Sequence, residues 1–231
     1  MYSYDALKRA INSPEYTAKA IYHYHFLRQD INIIKKKLEN QFTEEEMARY
    51  AHGASVGLKE VVLYALIRRY KPTLMIETGV AQGVSTYFIL KAMHDNNKGL
   101  LISIDYPNRN PDGYKDLGDK QDNVYIPTHL EPGWLVPNSL RSRWEFHEGK
   151  SSDILPKLNK KKGKSIEAFF HDSDHSYSNM QFELAWAITH MKKGIIIADD
   201  TSRNYAWNDF NRICKNRIRR ISSPISAIEV K

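Results

Sequence analysis

The chain has 231 residues, a net charge of +7, and a composition that is 42% hydrophobic and 26% charged, enough for one soluble domain with its own core. Its single cysteine, Cys214, excludes an internal disulfide framework and fits a reducing compartment. No apolar run approaches the roughly 18 residues of a membrane span, and the opening MYSYDALKRAINSPEY has no apolar signal core, so the expected location is the cytoplasm.

In chain order, residues 1–70 read as a helical cap. Tyr24, Leu27, Ile31, Ile34 and Leu38 recur at steps of three and four, which places them on one helix face. Thr43-Glu44-Glu45-Glu46 looks like an N-cap followed by an acidic first turn. Leu58, Val61, Val62, Ala65 and Leu66 form a second apolar stripe that ends at the solvated pair Arg68-Arg69. No chemistry is evident in this part.

From residue 71 to 231 the texture alternates. Short apolar runs at Leu74–Ile76, Leu100–Ile104, Ile166–Phe170 and Gly194–Ala198 are separated by helical stretches at Ser85–His94, Ser152–Leu158 and Ser178–Met191. A further strand is expected at Trp144–His147. This pattern predicts an α/β, Rossmann-like, mostly parallel sheet of seven strands. Arg217–Ser222 and Ile225–Val230 read as its C-terminal antiparallel hairpin. In such sheets ligands bind beyond the carboxyl ends of the strands. Those ends carry Glu77, Asp105, Asp172 and Asp199-Asp200, a repetition that suggests a site.

The first strand runs into Glu77-Thr78-Gly79-Val80-Ala81-Gln82-Gly83-Val84-Ser85. Small residues at Gly79, Ala81 and Gly83 let the backbone turn sharply and approach a ligand, beside the free N–H groups of a helix start. A dinucleotide fingerprint needs glycines at 79, 81 and 84, and a P-loop needs glycine where Trp144 or Leu158 stands, so both phosphate-binding patterns fail. Glu77 favours a cationic ligand, and S-adenosylmethionine carries an ammonium and a sulfonium. Asp105 is placed to accept hydrogen bonds from ribose hydroxyls.

Ile76 to Ser85 resembles the first motif of class I S-adenosylmethionine-dependent methyltransferases, and the resemblance runs from about residue 70 to the C-terminus. It implies cofactor contacts from Glu77, Thr78, Gly79, Ala81, Gly83, Ser85, Asp105 and Asp172. Gly149-Lys150-Ser151-Ser152-Asp153 resembles the catechol-type segment, which puts Ser151 and Ser152 at the adenine; Lys150 replaces the small residue usual there.

Phe170-His171-Asp172-Ser173-Asp174-His175, together with Asp199-Asp200, forms a denser cluster. Carboxylates gathered this way repel unless a proton or cation relieves them, and oxygen-only ligands suit a hard ion such as Mg²⁺. The plainer alternative is that Asp199-Asp200 cap the next helix. The spacing resembles metal-dependent O-methyltransferases of the macrolide-sugar and cephalosporin hydroxylase-like groups, which implies Asp172, Asp199 and Asp200 as metal ligands. In the catechol pattern, which the spacing also resembles, a base, usually lysine, sits three residues after the first ligand, where His175 stands here. Histidine titrates near neutrality. Asp174 either orients His175 or joins the metal shell.

Residues 106–143, rich in proline and glycine, are long for a strand connection. Gly133-Trp134-Leu135-Val136-Pro137 is either a lid with Trp134 over the acceptor or a structural tether. The expected activity is therefore methyl transfer to a hydroxyl of a small molecule, sugar or glycan. RNA methylation and non-catalytic cofactor binding are the rival readings. Nucleic acid is disfavoured as a partner because the basic runs at 35–37, 160–164 and 217–220 lack interleaved tryptophan or tyrosine. No membrane partner is expected, and a homo-oligomer is compatible with the sequence.

Overall fold

The computed structural model describes residues 14–44, 46, 56–109, 124–162, 165–214 and 225–231. Its elements are α1 (Pro14–Gln41), α2 (Leu58–Tyr70), β1 (Leu74–Thr78), α3 (Val84–Asp95), β2 (Leu100–Asp105), a 3₁₀ turn (Asn138–Arg143), β3 (Trp144–Glu148), α4 (Ser151–Lys162), β4 (Ile166–His171), α5 (Tyr177–His190), β5 (Met191–Ala198), α6 (Ala206–Ile213) and β6 (Ser226–Val230). The expected strands through β5 and the final one are therefore present, with β5 starting three residues before Gly194.

The sheet order is β3-β2-β1-β4-β5-β6. Every pairing is parallel except that of β5 with β6. Six strands are seen among the described residues where seven were expected. The segment Arg217–Ser222, read as the other arm of the hairpin, lies outside the described residues.

Successive strand residues face opposite sides of the sheet, and the apolar runs fill both. Leu74, Ile76, Ile102, Ile104, Phe169 and Ile196 pack toward α4, α5 and α6. Met75, Leu101, Phe170, Ile195 and Ile197 pack toward α1, α2 and α3. The result is a three-layer sandwich with a parallel sheet covered on both faces, as continuous apolar strands require.

The N-terminal helices belong to the same core. Leu27, Ile31, Ile34 and Leu38 on α1 are buried in one cluster with Val62, Leu63 and Ile67 on α2 and Phe88 on α3. The change of texture near residue 70 thus falls within continuous packing. After α1, Thr43 and Glu46 form a capping box: Glu46 N–H donates to Thr43 Oγ1 at 3.2 Å and Thr43 N–H to Glu46 Oε2 at 2.8 Å. Lys35, Lys36 and Lys37 are exposed on the opposite face of α1, the solvated arrangement expected of a basic run. Among the described residues no helix is long and apolar enough to cross a membrane.

Chain order reverses between β1 and β4, and there the loops after adjacent strands diverge to opposite faces. In open α/β sheets such a switch point is where ligands bind. Because α1 shares the central core, Ile34→Ala should cost about 2–5 kcal/mol, the range for a buried large-to-small change. It should lower the midpoint of a single cooperative transition in thermal unfolding; a separate early transition for α1 would contradict shared packing.

Candidate active site

The loop after β1 is held from below by Glu77. Its carboxylate is fully buried, with Oε1 accepting from Ser85 Oγ at 2.9 Å. Oε2 accepts from Thr86 Oγ1 at 2.9 Å and from Ser103 Oγ at 2.7 Å. Glu77 therefore ties β1 to β2 and to the first turn of α3. Burial pushes its pKa up to about 7, against the pull of the three hydroxyls. The structure places Glu77 and Ser85 beneath the loop, bonded to each other, whereas sequence placed both at the cofactor.

Gly79 turns the chain at φ 84°. A Cβ there would meet the Asp172 carbonyl oxygen at 2.0 Å, so only glycine permits the loop after β1 to lie against the segment after β4. Ala81 also has positive φ, 49°, and its N–H donates to Asp105 Oδ2 at 2.9 Å. Burial raises the Asp105 pKa, opposed by the loop N–H groups it accepts. Gly149 N–H donates to the Asp105 carbonyl at 2.7 Å, which brings the β3–α4 turn beside the same carboxylate. In that turn Ser151 Oγ donates to Asn179 Oδ1 at 3.3 Å, Ser152 is exposed, and Lys150 Nζ stands 5.6 Å from the Tyr106 ring centroid.

Gly133–Pro137 proves to be a tether. Gly133 N–H donates to the Ala81 carbonyl at 2.8 Å and Leu135 N–H to that of Gln82 at 3.1 Å. Trp134 Nε1 donates to Gln82 Oε1, and its ring contacts Phe42 edge-on with centroids 6.5 Å apart. Leu135 and Val136 are buried. Trp134 thus braces the loop from behind.

On the other face of β1 lies a network that the sequence reading missed. Thr78 Oγ1 donates to Glu183 Oε2 at 2.5 Å, and His171 Nδ1 lies 2.6 Å from the same oxygen. Ser173 Oγ donates to Glu183 Oε1 at 2.8 Å. Burial would raise the Glu183 pKa, but His171 and these hydrogen bonds hold it below the usual range. The segment after β4 is thereby fixed to α5. His175 follows, buried, with its ring edge-on to His171 at 5.1 Å. The Asp174 carboxylate accepts from Ser176 N–H at 2.8 Å and Ser176 Oγ at 3.0 Å, before α5.

The carboxylate cluster contains a cation from the chain itself. Lys59 Nζ, from the first turn of α2, lies 2.7 Å from Asp199 Oδ2 and 3.3 Å from Asp172 Oδ2. The three side chains are 17%, 12% and 18% exposed, respectively. Burial would depress the Lys59 ammonium, but Asp172 and Asp199 outweigh it and hold it well above the ordinary lysine range. Asp199, at the shorter distance, is held ionised against its burial by Lys59. Asp172, more deeply desolvated and beside Asp199, is driven toward its protonated form. Glu60, the neighbour of Lys59, accepts from Gly57 N–H at 2.6 Å and fixes the start of α2. A buried Asp199 does not fit the solvent-facing helix cap.

The metal set implied by sequence is only partly assembled. Asp172 and Asp199 converge, but on Lys59. Asp200 has φ 48° and turns its carboxylate to Arg203. Among the described residues no three His, Cys, Asp or Glu side chains are grouped to hold an ion. As arranged, the residues do not fit a divalent metal, because an ammonium already lies between two of its three expected ligands. Lys59 was legible as a charge on an apolar stripe: it shares a helix face with the buried Val62, Leu63 and Leu66. Glu183 carries the same signal beside Met180, Leu184 and Ala187.

A doubly wound sheet with a glycine turn after β1, an acid ending β2 and acids ending β4 and β5 defines the class I, S-adenosylmethionine-dependent methyltransferases. A family model described as "Methyltransferase domain" matches residues 76–201, more than half of the chain, and the chain belongs to that family. Solved structures share the fold. The O-methyltransferase NovP superposes with a TM-score of 0.60 at 16% identity, over 90% of this chain and 99% of that one. TomG from Streptomyces achromogenes, an O-methyltransferase involved in tomaymycin synthesis and solved with S-adenosylmethionine, gives 0.55 at 13%, over 96% and 92%. The Bacillus cereus O-methyltransferase, solved with S-adenosylhomocysteine, gives 0.51 at 16%, over 87% and 100%. A search of curated proteins found no match to this chain.

Two substitutions test the loop. Gly79→Ala forces a positive-φ side chain into the Asp172 backbone and should cost at least about 2 kcal/mol, read by urea unfolding. An unchanged midpoint would show that the two segments are not in contact. Because the folded-state pKa of Glu77 lies above the usual 4.5, at about 7, its protonation stabilises the fold. That contribution is fully present below pH 4.5 and is lost as pH rises through about 7. Relative to Glu77→Gln, the wild-type stability should gain on the order of 3 kcal/mol between pH 7 and 4.5. Parallel pH profiles would place Glu77 in solvent.

Proposed function

We propose that this methyltransferase transfers the methyl of S-adenosylmethionine to a hydroxyl oxygen of a small molecule, sugar or glycan. The observation that carries the reading is the pairing of a glycine-only turn at Gly79, closed against Asp172, with a buried charge cluster at the next strand ends.

S-adenosylmethionine supplies an electrophilic methyl on a sulfonium. In this reading Gly79, Ala81 and Gly83 give it a close backbone wall, with Glu77, Thr78 and Ser85 holding that wall from beneath. Asp105 binds the ribose hydroxyls, Ser151 and Ser152 border the adenine, and the Asp172 backbone closes the methionine side. His175 receives the acceptor's proton, and the Asp172–Asp199 end orients the oxygen for in-line attack. Holding both reactants at contact distance supplies much of the acceleration.

The finer expectation from sequence is that Mg²⁺ on Asp172, Asp199 and Asp200 activates the oxygen. In the present arrangement that requires Lys59 to leave the two carboxylates. RNA as acceptor has less support: the exposed lysines of α1 form one short face.

The test is a screen of hydroxylated small molecules, sugars, glycans and RNA with methyl-labelled S-adenosylmethionine. Labelled O-methyl product is expected from one of the first three classes. Asp105→Ala should weaken S-adenosylmethionine at least tenfold by calorimetry, about the loss of a charge-assisted hydrogen bond or more. Label appearing only in RNA, or cofactor affinity indifferent to Asp105→Ala, would overturn the reading.

A further inference from the structure

Buried carboxylates at the ends of neighbouring strands need a counter-cation, and here α2 delivers one. Lys59 sits in the first turn of a helix whose start is locked by the Gly57–Glu60 hydrogen bond at 2.6 Å. The same helix is packed through Val62, Leu63 and Leu66 into the central core. Its ammonium is therefore carried on a rigid element to a fixed place between Asp172 and Asp199, with all three side chains partly open to solvent.

We propose that Lys59 is the resident cation of the acceptor end of the site and does there what a divalent ion would otherwise do. This rests on the methyl-transfer reading above. An ammonium has three N–H donors. Two of them point to Asp172 and Asp199, and the third is directed to the acceptor oxygen. Lys59 stays protonated throughout: it holds the hydroxyl by that hydrogen bond and stabilises the negative charge that develops on oxygen. The hydroxyl proton passes to the His175 imidazole, and an oxygen lone pair forms the new bond to the methyl carbon. The C–S bonding pair stays on sulfur, leaving neutral S-adenosylhomocysteine.

The site also explains its own charge balance. The ammonium, 2.7 Å from Asp199, holds that carboxylate below its usual range, while Asp172, 3.3 Å from the ammonium, is pushed up by burial and by the neighbouring Asp199 charge. A doubly charged ion would suit two or three ionised carboxylates instead. Asp200, the third acid of the expected metal set, is committed to Arg203.

The experiment compares wild type, Lys59→Met and Lys59→Arg by Mn²⁺ titration followed by electron paramagnetic resonance. S-adenosylmethionine calorimetry and methyl transfer are measured on the same samples, with and without EDTA. Wild type should hold Mn²⁺ no more tightly than about 1 mM, whereas Lys59→Met, with its carboxylates released, should bind at least tenfold tighter. Turnover by wild type should change less than twofold with EDTA. Lys59→Met should lose at least 100-fold in kcat while its S-adenosylmethionine Kd stays within threefold, and Lys59→Arg should recover part of the loss. Micromolar Mn²⁺ binding by wild type, equal Mn²⁺ affinity in wild type and Lys59→Met, or activity abolished by EDTA would each overturn the assignment. If Lys59→Met fails to fold, the wild-type titration and Lys59→Arg still decide it. A wild type that binds no S-adenosylmethionine would sink the functional reading, and the Mn²⁺ comparison would still read the role of Lys59.

Discussion

The contact between Lys59 and Asp199 at 2.7 Å is the constraint around which the site is arranged. Strand ends in a doubly wound sheet converge, so an acid after β4 and an acid after β5 come close whatever their role. Removing two such carboxylates from water costs several kcal/mol each unless they are paired and hydrogen-bonded. The fold resolves this with α2, an element from outside the alternating part of the chain. Its lysine joins the N-terminal helices to the crevice electrostatically, just as Val62, Leu63 and Leu66 join them to the core by packing.

A similar economy governs the neighbouring loop. Glu77 and Glu183 lie on opposite faces of the sheet and are both fully buried. Each collects hydroxyls or an imidazole: Glu77 takes Ser85, Thr86 and Ser103, while Glu183 takes Thr78, Ser173 and His171. Two buried acids thus hold the Gly79 turn and the Asp172 segment from either side. The tether at Gly133–Leu135 adds backbone bonds from behind. A site held by buried hydrogen-bond networks on both sides is preorganised, which is the condition for electrostatic stabilisation of a transition state without reorganisation.

Much of this was legible in the sequence, and what was not had a physical reason. Apolar runs bounded by turn residues located β1, β2, β4 and β5, because strands covered on both faces leave little choice of composition. The glycine turn and the acids at the strand ends located the crevice for the same reason. What the strand ends did not reveal is which carboxylates face a ligand. That Glu77 also clasps Ser85, Thr86 and Ser103 is decided in three dimensions. Trp134 reads equally as a lid or a brace until Phe42, 92 residues earlier in the chain, is seen beside it. Lys59 and Glu183 are visible as charges on apolar helix faces, but helices far from the strand ends in sequence give no sign of which end they meet.

The central claim is that S-adenosylmethionine binds in the crevice between the β1 and β4 ends, in contact with the Gly79 turn. Backbone amide NMR during titration with S-adenosylmethionine tests this most directly. Saturable shifts concentrated at residues 77–85, 105, 149–152 and 172–175, reproduced by S-adenosylhomocysteine, are the expected result. Saturable shifts centred elsewhere on the fold, or no shifts at millimolar ligand, would contradict it.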